Sequence, residues 1–269
     1  LSSLLASLIA APIENGLLIH WKLDEGSGES TKDYSPSGLS GAVKAAWAED
    51  GAGKALRFDG TSAAIVSTKL PEDKRFGKSS WTFLAWVKPS QFTIEDKQNQ
   101  RRIFAYGKFP DAYLVIDING SGQVISYFCY KNEAGKVVSS GSGASTKLKL
   151  GEWAQIAFLC DREANQIRVF INSQPQGETD LPVGWNGDFS LTSEFTVGSA
   201  WHNYMGLMDE VKIWRRAVTK EEVRAEFNAL KAAFKVSESA EAASVDARES
   251  VKEALAAGNA AWAAGKHAA

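Results

Sequence analysis

Residues 113–130 read YLVIDINGSGQVISYFCY, and this stretch decides the fold. Leu114, Ile116 and Ile118 alternate with Val115 and Asp117, the two-residue period of a strand with one buried face. Asn119-Gly120 follows at once and predicts a type I′ hairpin turn, because both central positions of that turn need positive φ. Val124–Tyr130 is then the return strand. The same arrangement recurs outward from this hairpin. Trp153–Cys160 and Ile167–Asn172 flank the polar turn Asp161–Asn165, with Ile167, Val169 and Ile171 on one face and Arg168, Phe170 and Asn172 on the other. Ile103–Tyr106, Trp81–Lys88 and Asp209–Trp214 extend the set. Many strands with Gly-rich connections, and no helical pattern between them, predict an all-β, two-sheet antiparallel sandwich.

The character changes after Trp214. Thr219-Lys-Glu-Glu222 is a capping box, in which the Thr hydroxyl accepts from an early helix amide and Glu222 reaches back to the Thr amide. Val223, Phe227, Leu230 and Phe234 recur at helical spacing, so a helix over 220–235 should lay an apolar stripe on the sandwich and close a domain spanning 17–236. Residues 237–269 are Ala-rich, with high helix propensity and few large apolar groups, and read as a helical linker or an interaction helix. Within residues 1–16, Leu4–Ala11 reads either as the tail of a signal-peptide hydrophobic region or as a short helix packed on the domain. No apolar run reaches the ~18 residues of a transmembrane helix.

Composition narrows the function classes. Thirty Lys and Arg against 32 Asp and Glu leave a net charge of −2, which argues against nucleic acid or an anionic membrane as a partner held by a broad basic surface. Two cysteines, Cys129 and Cys160, are too few for a disulfide scaffold, and the sequence leaves open whether they are bonded or free. His20, His202 and His267 form no metal-spaced pair. The chain carries nine Trp, a residue suited to large cores or to flat ligand-stacking surfaces.

An ordered set of motifs carries a resemblance. Trp21-Lys-Leu-Asp24-Glu-Gly-Ser-Gly28, Asp33-Tyr-Ser-Pro-Ser-Gly38 and Gly53-Lys-Ala-Leu-Arg-Phe58-Asp59-Gly60 come first. Thr82-Phe-Leu-Ala-Trp86-Val87-Lys88, Leu150-Gly151-Glu-Trp153 and Gly206-Leu-Met-Asp209-Glu210-Val211-Lys-Ile213-Trp214 follow. This set resembles the laminin-G-like, concanavalin A-like jelly-roll domains of bacterial extracellular proteins, over residues 17–228. The resemblance implies two curved antiparallel sheets with the first and last strands paired. It implies a binding or adhesion module more often than a catalyst, and a secreted, periplasmic or cell-surface location. It also implies one structural calcium ion, held by the Asp209 carboxylate with backbone oxygens near Asp24 and Gly60. The competing reading has Asp59 and Asp209 capping local turns.

Catalysis in this fold calls for paired carboxylates around a sugar. Related glucanases carry Glu-x-Asp-x-x-Glu on one strand; Glu178-Thr-Asp180-Leu-Pro-Val183 lacks the third acid and reads as a loop. The chain therefore reads as a non-catalytic carbohydrate-binding or adhesion module of a larger exported protein, acting as a monomer. A protein-interaction domain packing on a neighbour is the alternative, and a glycan hydrolase or lyase the less favoured one. Trp86, Trp153 and Trp214 read as core. Trp185, Trp201, His202 and Tyr204, in Gly/Asn-rich loops, are the candidate ligand contacts or else loop anchors, with Tyr106 and Tyr113 added if a sheet face contributes.

Overall fold

The hairpin at residues 113–130 forms, with a different turn. Its strands pair from Ile118 with Val124 to Ala112 with Tyr130. The positive φ falls on Gly122 (89°), whose amide donates to the Asn119 carbonyl at 2.9 Å. Asn119 Oδ1 accepts from the Ser121 and Gln123 amides, each at 3.0 Å. The side chain of Asn119 thus organises a three-residue loop whose last position is the left-handed one, a common alternative to the two-residue turn.

The computed structural model describes residues 14–50, 53–63, 65–93, 100–198 and 202–236. The strands run in order as β1 Leu17–Trp21, β2 Ser30–Thr31, β3 Gly41–Val43, β4 Ala46–Asp50, β5 Gly53–Asp59 and β6 Val66–Lys69. They continue as β7 Trp81–Pro89, β8 Gln100–Lys108, β9 Ala112–Asn119, β10 Gln123–Lys131, β11 Val137–Ser140 and β12 Gly143–Lys147. Then come β13 Ala154–Asp161, β14 Gln166–Ile171, β15 Gln174–Asp180, β16 Glu194–Val197, β17 Met205–Trp214 and helix α1 Lys220–Leu230. The expected signal segment or short helix within residues 1–16, apart from Glu14 to Gly16, and the expected linker at 237–269 lie outside the described residues.

Two antiparallel sheets result. The eight-stranded sheet has the order β15-β14-β13-β7-β17-β5-β4, with β1 pairing the far half of β17. The nine-stranded sheet has the order β11-β10-β9-β8-β16-β6-β3-β2, with β12 on β10. The first and last strands are therefore paired, as the resemblance implies. Aromatic side chains fill the space between the sheets. Phe83 of β7 meets Phe104 of β8 at 5.1 Å between ring centroids, and Trp81 meets Phe128 edge-to-face at the same distance. Cys160 belongs to this core while Cys129 lies in the opposite sheet, and both are free, buried thiols. Burial pushes the Cys160 thiol up to about 12.

A second apolar layer covers the outer face of the eight-stranded sheet. Leu84, Ala157, Leu159, Phe170 and Trp214 cluster there under Val218 and Val223. The capping box forms as read: Glu222 donates its amide to Thr219 Oγ1, and its carboxylate accepts from the Thr219 amide at 2.7 Å. The helix ends at Leu230, short of the expected 235. Residues 231–235 turn instead, with Lys235 at φ 52°, and lay Phe234 on Trp86 at 4.2 Å between parallel rings. Phe227 stacks on the same indole at 5.7 Å and Trp153 meets Phe234 edge-on at 4.9 Å. Trp86, Trp153 and Trp214 are buried, as read from the sequence. Among the described residues no helix is long and apolar enough to cross a membrane.

Phe234 and Phe227, at 5% and 1% exposure, carry the docking. Replacing either by Ala should cost about 3–5 kcal/mol in urea unfolding, whereas Leu230→Ala should cost about 1 kcal/mol because Leu230 is only half-buried. Wild-type stability in Phe234→Ala would show that the turn does not seal the sheet.

Candidate functional site

The outer face of the nine-stranded sheet holds buried polar chemistry outside both apolar clusters. Register fixes its members: Arg102 pairs with Asp117, Ala105 with Val115 and Gly107 with Tyr113 across β8 and β9. Asp117, Val115 and Tyr113 pair in turn with Ile125, Tyr127 and Cys129 of β10. These residues alternate with Leu114, Ile116, Phe128 and Tyr130, which face the core.

Arg102 and Asp117 form a two-pronged ion pair. The guanidinium Nε reaches Oδ1, and Nη2 donates to Oδ2 at 3.0 Å. The side chains are 4% and 5% exposed. Burial opposes the Arg102 charge, but the Asp117 carboxylate outweighs it and holds the guanidinium above its usual range. Arg102 Nη1 donates to the Tyr113 hydroxyl. Burial raises the Tyr113 pKa against the pull of Arg102, so the phenol stays protonated at neutral pH. Tyr127, 37% exposed, shares this face: it pairs with Val115, which pairs with Ala105, and its hydroxyl interacts with the Ser139 and Cys129 side chains. The backbone at 202–203 is stitched to the same strand: Arg102 N donates to His202 O at 2.6 Å, and Arg101 Nη1 donates to Asn203 O at 3.1 Å.

The structure therefore brings together Tyr113 and the His202 backbone, but separates the other candidates. Trp201 lies outside the described residues. Tyr106 and Tyr204 are core residues, each 0% exposed, and offer no face to a ligand. Tyr106 pairs with Leu114 and Phe195, donates to Leu191 O at 2.8 Å, and is pushed up to about 12 by burial. Tyr204 donates to Leu207 O at 3.1 Å and packs edge-on against Phe58. Trp185 sits elsewhere, half-buried between Phe189 and the edge of Tyr130. Glu178 and Asp180 lie on edge strand β15, not in a loop, and Glu178 accepts from Gln166 at 2.9 Å. Arg102, Asp117 and Tyr127 were not singled out by sequence reasoning. A charged residue in the middle of each apolar strand was the available signal.

The expected calcium ligands are only partly assembled. Asp59 pairs with Met205 and Leu56 with Met208, so Gly60, bonded through its amide to Tyr204 O, stands roughly 15 Å along the strand from Asp209. Gly60 cannot share an ion with Asp209. Asp24 and Asp209 do share one electrostatic neighbourhood with Glu210. Asp209 is 4% exposed and accepts from the Glu210 amide at 2.9 Å. Burial first, then the Glu210, Asp24 and Glu25 carboxylates, push its carboxyl up to about 9. Among the described residues no group of three or more His, Cys, Asp or Glu is placed to hold a metal ion. What remains is a set of carboxylate oxygens, the donor type that calcium prefers.

Residues 59–224 match the family model described as the concanavalin A-like lectin/glucanases superfamily. The chain belongs to this superfamily. No curated protein matches the sequence. Among solved structures, the fold is similar to the binding domain of Paraclostridial Mosquitocidal Protein 1, with TM-score 0.64, 15% identity, and coverage of 80% of this chain and 52% of that one. It is also similar to the binding domain of botulinum neurotoxin DC in complex with rat synaptotagmin II, with TM-score 0.58, 10% identity, and coverage of 81% and 52%. A third is domain 4 of AbnA, a GH43 extracellular arabinanase from Geobacillus stearothermophilus, in complex with arabinotriose. There the TM-score is 0.55 and identity 20%, with coverage of 77% of this chain and 96% of that one. The chain spans about half the length of the toxin binding domains it matches.

The Asp209 environment has a measurable consequence in chelator-treated protein. Its carboxyl keeps a proton in the folded chain up to about pH 9 and loses it near its usual 3.8 when unfolded, so stability falls as pH rises between those values. The slope approaches about 1.4 kcal/mol per pH unit. Asp209→Asn should flatten this dependence and raise the unfolding midpoint at pH 8; a lower midpoint there would contradict the assignment.

Proposed function

We propose that this domain is a non-catalytic carbohydrate-binding module of a larger exported protein, holding a glycan on the outer face of the nine-stranded sheet. The observation that carries the reading is the Arg102–Asp117–Tyr113 constellation beside half-exposed Tyr127. An aromatic face receives the C–H side of a sugar ring, and the half-buried Tyr113 hydroxyl, held in place by Arg102, can hydrogen-bond a sugar hydroxyl beside it. Both Asp117 oxygens accept from Arg102, so this carboxylate is occupied as an ion-pair partner and unsuited to act as acid or nucleophile. The likeness to an arabinanase domain solved with arabinotriose supports a glycan as ligand. A structural calcium ion held by the Asp209 and Asp24 carboxylates, with backbone and water oxygens completing its shell, belongs to the same proposal and would relieve the crowding of carboxylates there.

A protein-docking module is the second reading, supported by the likeness to a toxin binding domain solved with synaptotagmin II. Isothermal titration against arabinan, xylan, β-glucan and alginate separates the two. One of these should bind wild type, and Tyr127→Ala should weaken it by ~1–3 kcal/mol without shifting the unfolding midpoint. Failure of all four to bind, or binding indifferent to Tyr127, would favour the docking module. Calcium should raise the midpoint of wild type and not that of Asp209→Asn; equal responses would remove the ion from the account.

A further inference from the structure

We propose a second ligand site on this domain, in a groove at the rim of the sandwich, that takes the end of an uncharged, hydroxyl-rich oligosaccharide. The ligand class rests on the carbohydrate-binding reading, but the residues are different ones. The groove runs between the β10–β11 turn and residues 183–188 and has a volume of about 620 Å³, the size of a small-molecule site. It is distinct from the sheet face because Tyr130, at its floor, projects toward the core side of β10, opposite to Tyr127 and Cys129.

Both walls are held in place before any ligand arrives. On one side, Asn132 N donates to Lys136 O, Gly135 N donates to Asn132 O, and Asn132 Oδ1 accepts from the Ala134 and Lys136 amides. Lys131 Nζ pairs with Asp111 at 2.6 Å. On the other side, Arg162 donates to Gly187 O, and Trp185 N closes a turn on Pro182 O at 2.9 Å. Gly187 presses on the floor: a Cβ there would stand 2.9 Å from the Tyr130 ring, so the close approach requires glycine. Trp185 buttresses that ring edge-to-face at 4.8 Å. Trp185 is thus a support of this groove rather than a free stacking platform.

The groups facing the groove define what fits. The Tyr130 hydroxyl accepts from the Asn186 amide at 3.1 Å, which leaves its own proton without an acceptor among the described residues. Glu133, Asn186 and Asp188 add exposed acceptors and an amide, and Lys78 adds a donor. Hydrogen bonds from Ser190, its side chain foremost, hold Asp188 below the usual carboxylate range and therefore ionised. Positive and negative groups nearly balance, so the groove has no field to select an ion. The amides of Asn132, Ala134, Gly135 and Lys136 are taken within their own turn, and those of Trp185 and Asn186 by Pro182 O and the Tyr130 hydroxyl, so a peptide strand finds no continuous row of backbone partners. Interspersed donors and acceptors over an aromatic floor suit vicinal hydroxyls instead.

Amide chemical shifts of the full chain, titrated with arabinotriose, xylotriose, cellotriose and mannotriose, test this directly. In the Tyr127→Ala variant, at least one trisaccharide should still shift the signals of 132–134 and 184–188. Glu133→Ala with Asn186→Ala should weaken that binding at least tenfold. Shifts in wild type confined to 113, 117 and 127 would overturn the groove and leave the sheet-face site standing. Shifts at the groove alone would sustain this site and overturn the sheet face, and no shift with any of the four sugars would overturn both.

Discussion

Ile103 is an extra residue in β8: Arg102 pairs with Asp117 and Phe104 with Ile116, so the alternation slips by one between them. Without that bulge, Arg102 would share a face with Phe104 and Tyr106 and carry its charge into the core. With it, Phe104 and Tyr106 complete the aromatic packing between the sheets while Arg102 meets Asp117 on the outside. The pair is buried all the same. Losing one partner of such a pair costs about 3–5 kcal/mol, because the other charge is left unmatched. The constellation is therefore held rigidly, which limits the ordering cost that binding would otherwise carry.

The two sheets treat their outer faces differently. On the eight-stranded sheet, Trp86, Trp153 and Trp214 lie under α1 and the turn that follows it, and Phe234 completes the stack. That face is apolar and closed. The nine-stranded sheet carries no α-helix among the described residues, and its outer face mixes small, polar and aromatic side chains with the β-branched Val115 and Ile125. This asymmetry gives one face to stability and is why the proposed glycan face lies on the other. The rim groove adds a surface made by loops rather than by strands.

Much of this was legible from local pattern. The period of two in Leu114–Ile118, the capping box at Thr219 and the apolar spacing of Val223 and Phe227 each predict what forms. Tyr113 was legible as a sheet-face residue because its strand alternates without interruption. Tyr106 was not, because a bulge leaves no mark in the period until the partner strand is known. The family resemblance implies one ion shared by Asp209 and Gly60; the β5–β17 register sets them apart. Tyr204 follows Asn203 in a loop-like stretch yet is fully buried: Gly206 leaves room for its hydroxyl, and Gly198 leaves room for Phe58, against which its ring packs. The rim groove depends on two loops distant in sequence, and no short-range pattern announces such a meeting.

A crystal structure of the domain with a bound glycan would show which sheet face the sugar occupies. Density for sugar rings is expected against Tyr127 and Tyr113, with the Arg102–Asp117 pair intact beneath them. A glycan seated on the helix-covered sheet, or an Arg102 side chain turned away from Asp117 toward the ligand, would contradict the proposal.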